Sequence, residues 1–189
     1  MDIGIAGRDW IEETSSDVVS LGELKYSKVT AKPVKIVVAV PADSDYEVLS
    51  DLPQGVRVSS EYPELTNRHF AASGIKADVR LSYGATEAKA PEIVDAVVDL
   101  TETGSALRAA GLKIIDEILT SYTEIFANRE SYEDPEKRKA MEQLKTLLDG
   151  VLDARGRVLM KLNVSASDLD QVISVLPSMK APTVNELWG

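Results

Sequence analysis

Short apolar runs rich in β-branched residues punctuate this chain and constrain its fold more than any other feature. Ile36-Val37-Val38-Ala39-Val40, Val56-Arg57-Val58 and Ala96-Val97-Val98-Asp99-Leu100 are too short for buried helices, and stretches with helical signals separate them. Strands alternating with helices read as α/β, with the strands largely parallel. A further run, Asp2-Ile3-Gly4-Ile5-Ala6-Gly7, opens the sequence. The 189 residues amount to one ordinary domain and a remainder, which points to two units of unequal size.

The helical segments carry their own punctuation. Pro63 to Ala72 places Leu65, Phe70 and Ala71 before Gly74, a natural helix stop. Ser105 to Leu119 sets Leu107, Leu112, Ile115, Ile118 and Leu119 at helical spacing and is expected to be one helix. Asp134 as N-cap and Pro135 at the first helical position open a third, whose stripe is Met141, Leu144, Leu147, Leu148, Val151 and Leu152, with Gly156 closing it. Beyond it, Arg157 to Val164 reads as a strand, and Leu169, Val172, Ile173 and Leu176 as a short helix capped from Ser165 and Ser167 and ended by Pro177. Thr183-Val184 hints at one more strand, and Lys32-Pro33 and Pro41 to Ser44 read as breaks.

Composition narrows the chemistry. Asp plus Glu number 31 against 21 Lys plus Arg, so the chain carries a net charge of −10 and disfavours a broad nucleic-acid face. The absence of cysteine excludes disulfides, thiolate zinc sites and cysteine nucleophiles, and the single histidine, His69, excludes His-rich metal sites. No apolar run approaches the about 20 residues of a membrane helix, and the N-terminus lacks a secretory pattern, so cytoplasmic residence is the expectation.

The segment Asp95 to Leu107, DAVVDLTETGSAL, reads as strand, turn and helix start. It gathers the hydroxyls of Thr101, Thr103 and Ser105 with unpaired amides at a helix N-terminus, and Gly104 allows close backbone approach. Such a turn is either a phosphate cradle or an ordinary Ser/Thr-capped connection. Asp95 and Asp99 are expected to point along the strand towards it, where carboxylates suit ribose hydroxyls or a Mg²⁺ carried by pyrophosphate.

That segment resembles the ribosyl-phosphate loop of the ATP phosphoribosyltransferase family, and other motifs extend the resemblance over nearly the whole chain. Gly4-Ile5-Ala6-Gly7-Arg8-Asp9 is similar to the family's GITGRD turn, and Ile36 to Pro41 to its domain-crossing strand. Ser59-Ser60-Glu61-Tyr62-Pro63-Glu64-Leu65-Thr66 is similar to its TSYPxLT helix start, and Gly84-Ala85-Thr86-Glu87 to its GxxE segment. Departures are Ala106 in place of the usual loop Thr and a stretch after Glu87 about one residue shorter than the common version. The resemblance also implies an internal portion of the long-form enzyme, without the family's opening βα unit with its Lys-Gly-Arg loop and without the last strands of the regulatory domain.

The resemblance implies a two-lobed, type II periplasmic-binding-protein-like α/β catalytic region, followed by the start of a ferredoxin-like (ACT-like) regulatory domain. Lobe I would comprise 1–40 and 126–155, lobe II 41–125, and the partial regulatory domain 156–189. The loop from Thr101 to Ser105 would line the cleft between the lobes. The implied activity is a glycosyl transfer from phosphoribosyl pyrophosphate to N1 of ATP with release of pyrophosphate, assisted by Mg²⁺, as the first step of histidine biosynthesis. The long form is a homo-hexamer inhibited by histidine. Asp95, Asp99, Thr101, Thr103, Gly104 and Ser105 would bind phosphoribosyl pyrophosphate, with Asp95 and Asp99 facing its Mg²⁺.

Four further residues are candidates for the cleft near ATP, each with a plainer alternative. Arg8 and Asp9 follow a strand in a glycine turn, or form a surface ion pair. Glu87 orients ribose or metal, or is a helix-start acid. Tyr62 stacks on a base, or packs before Pro63. His69, beside Phe70, reads as structural. The competing function is a non-catalytic two-lobed module for small anions, or an inactive fragment of the enzyme. Carboxylates beside the phosphate loop favour the transferase.

Overall fold

A computed structural model describes residues 1–24, 33–84, 86–90, 92–155, 157–176 and 183–187. Lys32, Ala85, Gly156 and Pro177, which figure in the expectations above, lie outside the described residues. The contacts divide the chain into Met1–Asp153 and Ala154–Gly189.

The first unit holds two sheets. Strands β1 (Ile3–Gly7), β2 (Val18–Glu23) and β8 (Thr123–Asn128) form the smaller one in the order β1-β8-β2, and helix α1 (Arg8–Thr14) follows β1 directly. The larger has the order β5-β4-β6-β3-β7, built from β3 (Val34–Pro41), β4 (Arg57–Ser60), β5 (Asp78–Leu81), β6 (Ala96–Thr101) and β7 (Leu112–Ser121). Helix α2 (Pro63–Ala72) links β4 to β5, and the short α3 (Ser105–Ala109) links β6 to β7. Helices α4 (Arg129–Glu133) and α5 (Pro135–Asp153) follow β8.

Helices separate β1 from β2, β4 from β5 and β6 from β7, as expected, but no α-helix separates β3 from β4 or β7 from β8, and largely parallel pairing does not hold. Among the described residues only β4 with β5 and β4 with β6 are parallel, while β3 with β6, β3 with β7 and both pairs of the smaller sheet are antiparallel. The reason is topological: β3 brings the chain into the larger sheet and β7 carries it out, so the two run past each other in opposite directions. Accordingly β3, placed by sequence in lobe I up to residue 40, pairs on both sides with strands of the larger sheet, and the chain leaves that sheet at Tyr122, between β7 and β8.

The unbroken apolar run of β3 reflects burial on both faces. Ile36, Val38 and Val40 pack with Val58, Val98, Leu65 and Phe70 on one side. Val37 and Ala39 pack with Val97, Leu107 and Leu112 on the other.

Ser105 to Leu119 is not one helix. Gly111, at φ +77°, ends α3 after Ala109, and Leu112 to Ser121 become β7. Two register shifts against β3 explain the misleading spacing, since Ile115 and Ile118 are the extra residues of the two irregularities. Bulges let non-alternating positions share a face, and Ile115, Ile118 and Leu119 all pack on the same core.

Helix α2 ends as expected, with Gly74 at φ +74°, and α5 starts as expected, with the Asp134 carboxylate accepting from the amides of Glu136 (2.9 Å) and Lys137 (3.2 Å). In the second unit α6 (Leu169–Val175) forms, but Ser165 and Ser167 donate to the Asp168 carboxylate rather than cap the helix amides. Arg157 to Val164 form no strand, and neither do Thr183-Val184; Val158 and Leu159 stay 90% and 85% exposed. A ladder needs a partner, and no strand occurs among the described residues of this unit to offer one. Among the described residues no helix is long and apolar enough to cross a membrane.

Candidate active site

The parallel strands β4, β5 and β6 all release the chain at the same end of the larger sheet, and open α/β sheets bind ligands at that end. Three segments meet there: Glu61-Tyr62 after β4, Ser82 to Gly84 with Thr86-Glu87 after β5, and Thr101 to Ser105 after β6. The ladder places Thr101 opposite Lys35, which lies opposite Thr120, one residue before Ser121. The loop therefore borders the passage from the larger sheet to the smaller.

The loop is held internally. The Gly104 amide donates to Thr101 Oγ1 (2.6 Å), Thr103 Oγ1 donates to Ser105 Oγ (3.0 Å), and Arg108 Nη2 donates to the Thr103 carbonyl (2.9 Å). Leu107, fully buried, anchors α3 beneath it. Thr103 and Ser105 remain exposed, so their hydroxyls face solvent, while the Thr101 hydroxyl staples the turn. Gly104 has φ +72°, and a Cβ there would meet Arg108 Nη1 at 2.8 Å and Ile114 Cδ1 at 3.1 Å. Glycine is thus required by the turn and its packing before any phosphate is considered.

The two carboxylates expected beside the loop separate. Asp99 is one: burial raises its pKa above the ordinary carboxylate range, and the negative charges of Glu87 and Glu61 raise it further. Glu61 also accepts from the Gly84 amide (3.1 Å), which ties the segment after β5 to the end of β4. Asp95 is the other, and it does not reach the loop. It precedes β6, six residues or about 20 Å of strand from Thr101. There it accepts three bonds from Arg57, from the backbone N (2.9 Å), Nε (3.1 Å) and Nη2 (2.6 Å), and the guanidinium holds its pKa below the usual range. Among the described residues no three acidic or histidine side chains are grouped to hold a metal ion.

Arg8 and Asp9 also separate. Arg8 pairs with Glu12 (2.7 Å) and approaches Glu124 (3.7 Å), and with Glu12, Ser15 and Arg68 it lines a cavity of about 460 Å³ apart from the Thr101–Ser105 loop. Asp9 is 7% exposed and accepts from the hydroxyls of Tyr62 (2.8 Å) and Ser121 (2.6 Å). Tyr62, 1% exposed, packs against Trp10 with ring centroids 5.2 Å apart, so its ring is packed rather than open to a base. Burial, then the bond to Asp9, raises the Tyr62 phenol well above its ordinary pKa. His69 pairs with Asp116 of β7, its Nε2 2.7 Å from Oδ2.

Sequence reasoning missed Glu13, Arg57, Glu61 and Ser121. Glu13 had a signal, since it sits one helical turn after Asp9 on the same face of α1. The other three owe their partners to segments distant in sequence.

Comparison with known proteins follows the same outline. The family described as ATP phosphoribosyltransferase matches residues 1–150, and the one described as HisG, C-terminal domain, matches 154–188. An ATP phosphoribosyltransferase from Desulforudis audaxviator is 48% identical over 189 residues, covering 100% of this chain and 65% of that protein. One from Chlorobium luteolum is 44% identical over 186 residues, covering 98% and 63%. The chain thus spans somewhat less than two-thirds of the length of the curated relatives it matches. The solved ATP phosphoribosyl transferase (HisG:HisZ) complex from Thermotoga maritima matches with TM-score 0.66 and 25% identity, over 80% of this chain and 70% of that one. The periplasmic aliphatic sulphonate binding protein SsuA from Escherichia coli shares the two-lobed fold, with TM-score 0.50 and 21% identity over 92% and 59%.

Proposed function

Because this chain belongs to the ATP phosphoribosyltransferase family, we propose that it acts in the condensation of ATP with 5-phosphoribosyl 1-pyrophosphate, the first step of L-histidine biosynthesis. In that reaction N1 of ATP attacks C1 of the ribose as the C1–oxygen bond to pyrophosphate breaks, which inverts C1 and leaves the electron pair on pyrophosphate. The observation that carries the reading is the Thr101–Ser105 loop, preshaped at the carboxyl end of β6 with Thr103 and Ser105 hydroxyls exposed.

In this reading Thr103, Ser105 and the first amides of α3 grip the 5′-phosphate, with Thr101 and Gly104 shaping the turn. Asp99 faces the ribose hydroxyls. Glu87 and Glu61 repel Asp99, and a cation arriving with the substrate relieves that repulsion, so Asp99 rather than Asp95 would face the Mg²⁺. Bound Mg²⁺ neutralises charge on the departing pyrophosphate. The chain's own part is to hold the ribose with C1 presented to the nucleophile. The lobes are proposed to be the two sheets with their helices, with residues 156–189 as part of a regulatory domain. A homo-oligomer in the cytoplasm, with histidine as inhibitor of the full-length form, belongs to the same proposal.

Calorimetry with phosphoribosyl pyrophosphate and Mg²⁺, and the ultraviolet absorbance of phosphoribosyl-ATP after ATP is added, test it. Saturable binding is expected, weakened by about 1–3 kcal/mol in Thr103→Ala. Absence of binding, or binding indifferent to Thr103→Ala, overturns the assignment.

A further inference from the structure

Among the described residues, one small helix bridges the two sheets of residues 1–153. Helix α1 is carried by β1 of the smaller sheet, yet its buried acids serve the larger. Asp9 bonds Ser121 by both side chain (2.6 Å) and backbone (3.1 Å), at the residue before Tyr122, where the chain passes from β7 to β8. The Arg8 amide donates to the Tyr122 carbonyl at the same place (2.9 Å). This end of α1 is therefore fixed at the pivot between the sheets.

Glu13 lies one turn further along, about 6 Å from Asp9. It is 8% exposed, and its two carboxylate oxygens accept separately from the amides of Glu64 (3.0 Å) and Leu65 (2.8 Å), the first turn of α2. Tyr62, the N-cap of α2, makes no side-chain cap bond, so the helix takes its cap from the other sheet's helix. Arg68 of α2 reaches back to Ser15 Oγ (3.0 Å) and to the Glu12 carbonyl. Ser121 adjoins Tyr122, so a parting of the sheets at Tyr122 would lengthen the bonds at Glu64 and Leu65, and that of Tyr62 to Asp9 (2.8 Å), more than those at Ser121.

We propose that Glu13 is a clasp: a positioning residue that, by capping α2 from the helix of the smaller sheet, holds the two sheets in the arrangement seen here. The clasp lies away from the Thr101–Ser105 loop and acts without ligand, so it stands or falls independently of the proposed chemistry. A carboxylate at two helix amides is charge-assisted as well as aligned with the helix dipole, and losing it exposes the α2 amides to solvent only when the sheets part.

The sequence has no cysteine, so Lys76→Cys and Lys139→Cys place spin labels at two chosen sites, one after α2 and one on α5, both exposed. Pulsed dipolar spectroscopy on the whole chain then reads the separation of the sheets. Glu13→Ala is expected to raise the ratio of long to short distances about tenfold, the equivalent of one charged hydrogen bond. Glu13→Gln, which keeps one acceptor, is expected to raise it less. Far-UV circular dichroism and the urea m-value should stay those of the parent. An unchanged distance distribution in both variants overturns the proposal. So does loss of the folded signal in both, which would make Glu13 a requirement of folding rather than a clasp.

Discussion

Replacing Gly104 by Ala tests whether the phosphate-loop candidate is built by backbone strain and packing before any ligand arrives. The φ of +72° costs an alanine about 1–2 kcal/mol. Its Cβ would sit 2.8 Å from Arg108 Nη1 and 3.1 Å from Ile114 Cδ1. The guanidinium can swing away, losing its bond to the Thr103 carbonyl, for about 0.5–1 kcal/mol at this exposed site. Ile114, on β7, must give by a few tenths of an ångström. Together these predict a loss of about 2 kcal/mol, which at a urea m-value near 2 kcal/mol/M lowers the midpoint by about 1 M. In the Arg108→Ala background the same substitution loses the guanidinium part, so a double-mutant cycle should return a coupling of about 0.5–1 kcal/mol. A midpoint shift below about 0.25 M, or strict additivity with Arg108→Ala, would refute the reasoning.

Gly150, inside α5 with nothing within 4 Å of a Cβ, is the opposite case: Gly150→Ala should stabilise by about 0.5–1 kcal/mol, read as a melting point raised by about 2 °C. Asp95→Asn should leave the affinity for phosphoribosyl pyrophosphate within about twofold, because that carboxylate is spent on Arg57; calorimetry showing a tenfold loss would return Asp95 to the site. Asp99 has its folded pKa raised by burial first and by Glu87 and Glu61 next, so the folded state binds its proton more tightly than the unfolded state does. Its contribution to stability accordingly falls as pH rises from the unfolded value near 3.8 through the raised folded one, and Asp99→Asn should flatten urea midpoints across that window and raise the midpoint at neutral pH.

What the sequence determined by itself was whatever a few adjacent residues decide through local geometry. Asp134-Pro135 starts α5 because a carboxylate reaches amides two and three residues on and proline suits the first turn. Gly74 ends α2 because only glycine enters a left-handed turn cheaply. The Thr101–Ser105 turn was legible for the same reason, since its hydroxyls bond amides within three residues. The continuous run of Ile36 to Val40 announced a strand buried on both faces. Tertiary structure decided whatever depends on which strand lies alongside. Leu112 to Ser121 had a helical spacing that two irregularities opposite β3 reproduce in a strand, and no window of sequence separates those cases. Asp95 and Asp99, four residues apart, one just before β6 and one within it, were divided because Arg57 of β4 stands beside the first, while Glu61 and Glu87 approach the second. In the sequence Asp9 reads as a cleft residue or half of a surface ion pair, and Glu13 carries no reading at all. They are buried because α1 spans the two sheets and meets Tyr62, Ser121 and the bare amides of α2, groups brought together only by the closing of the chain on itself.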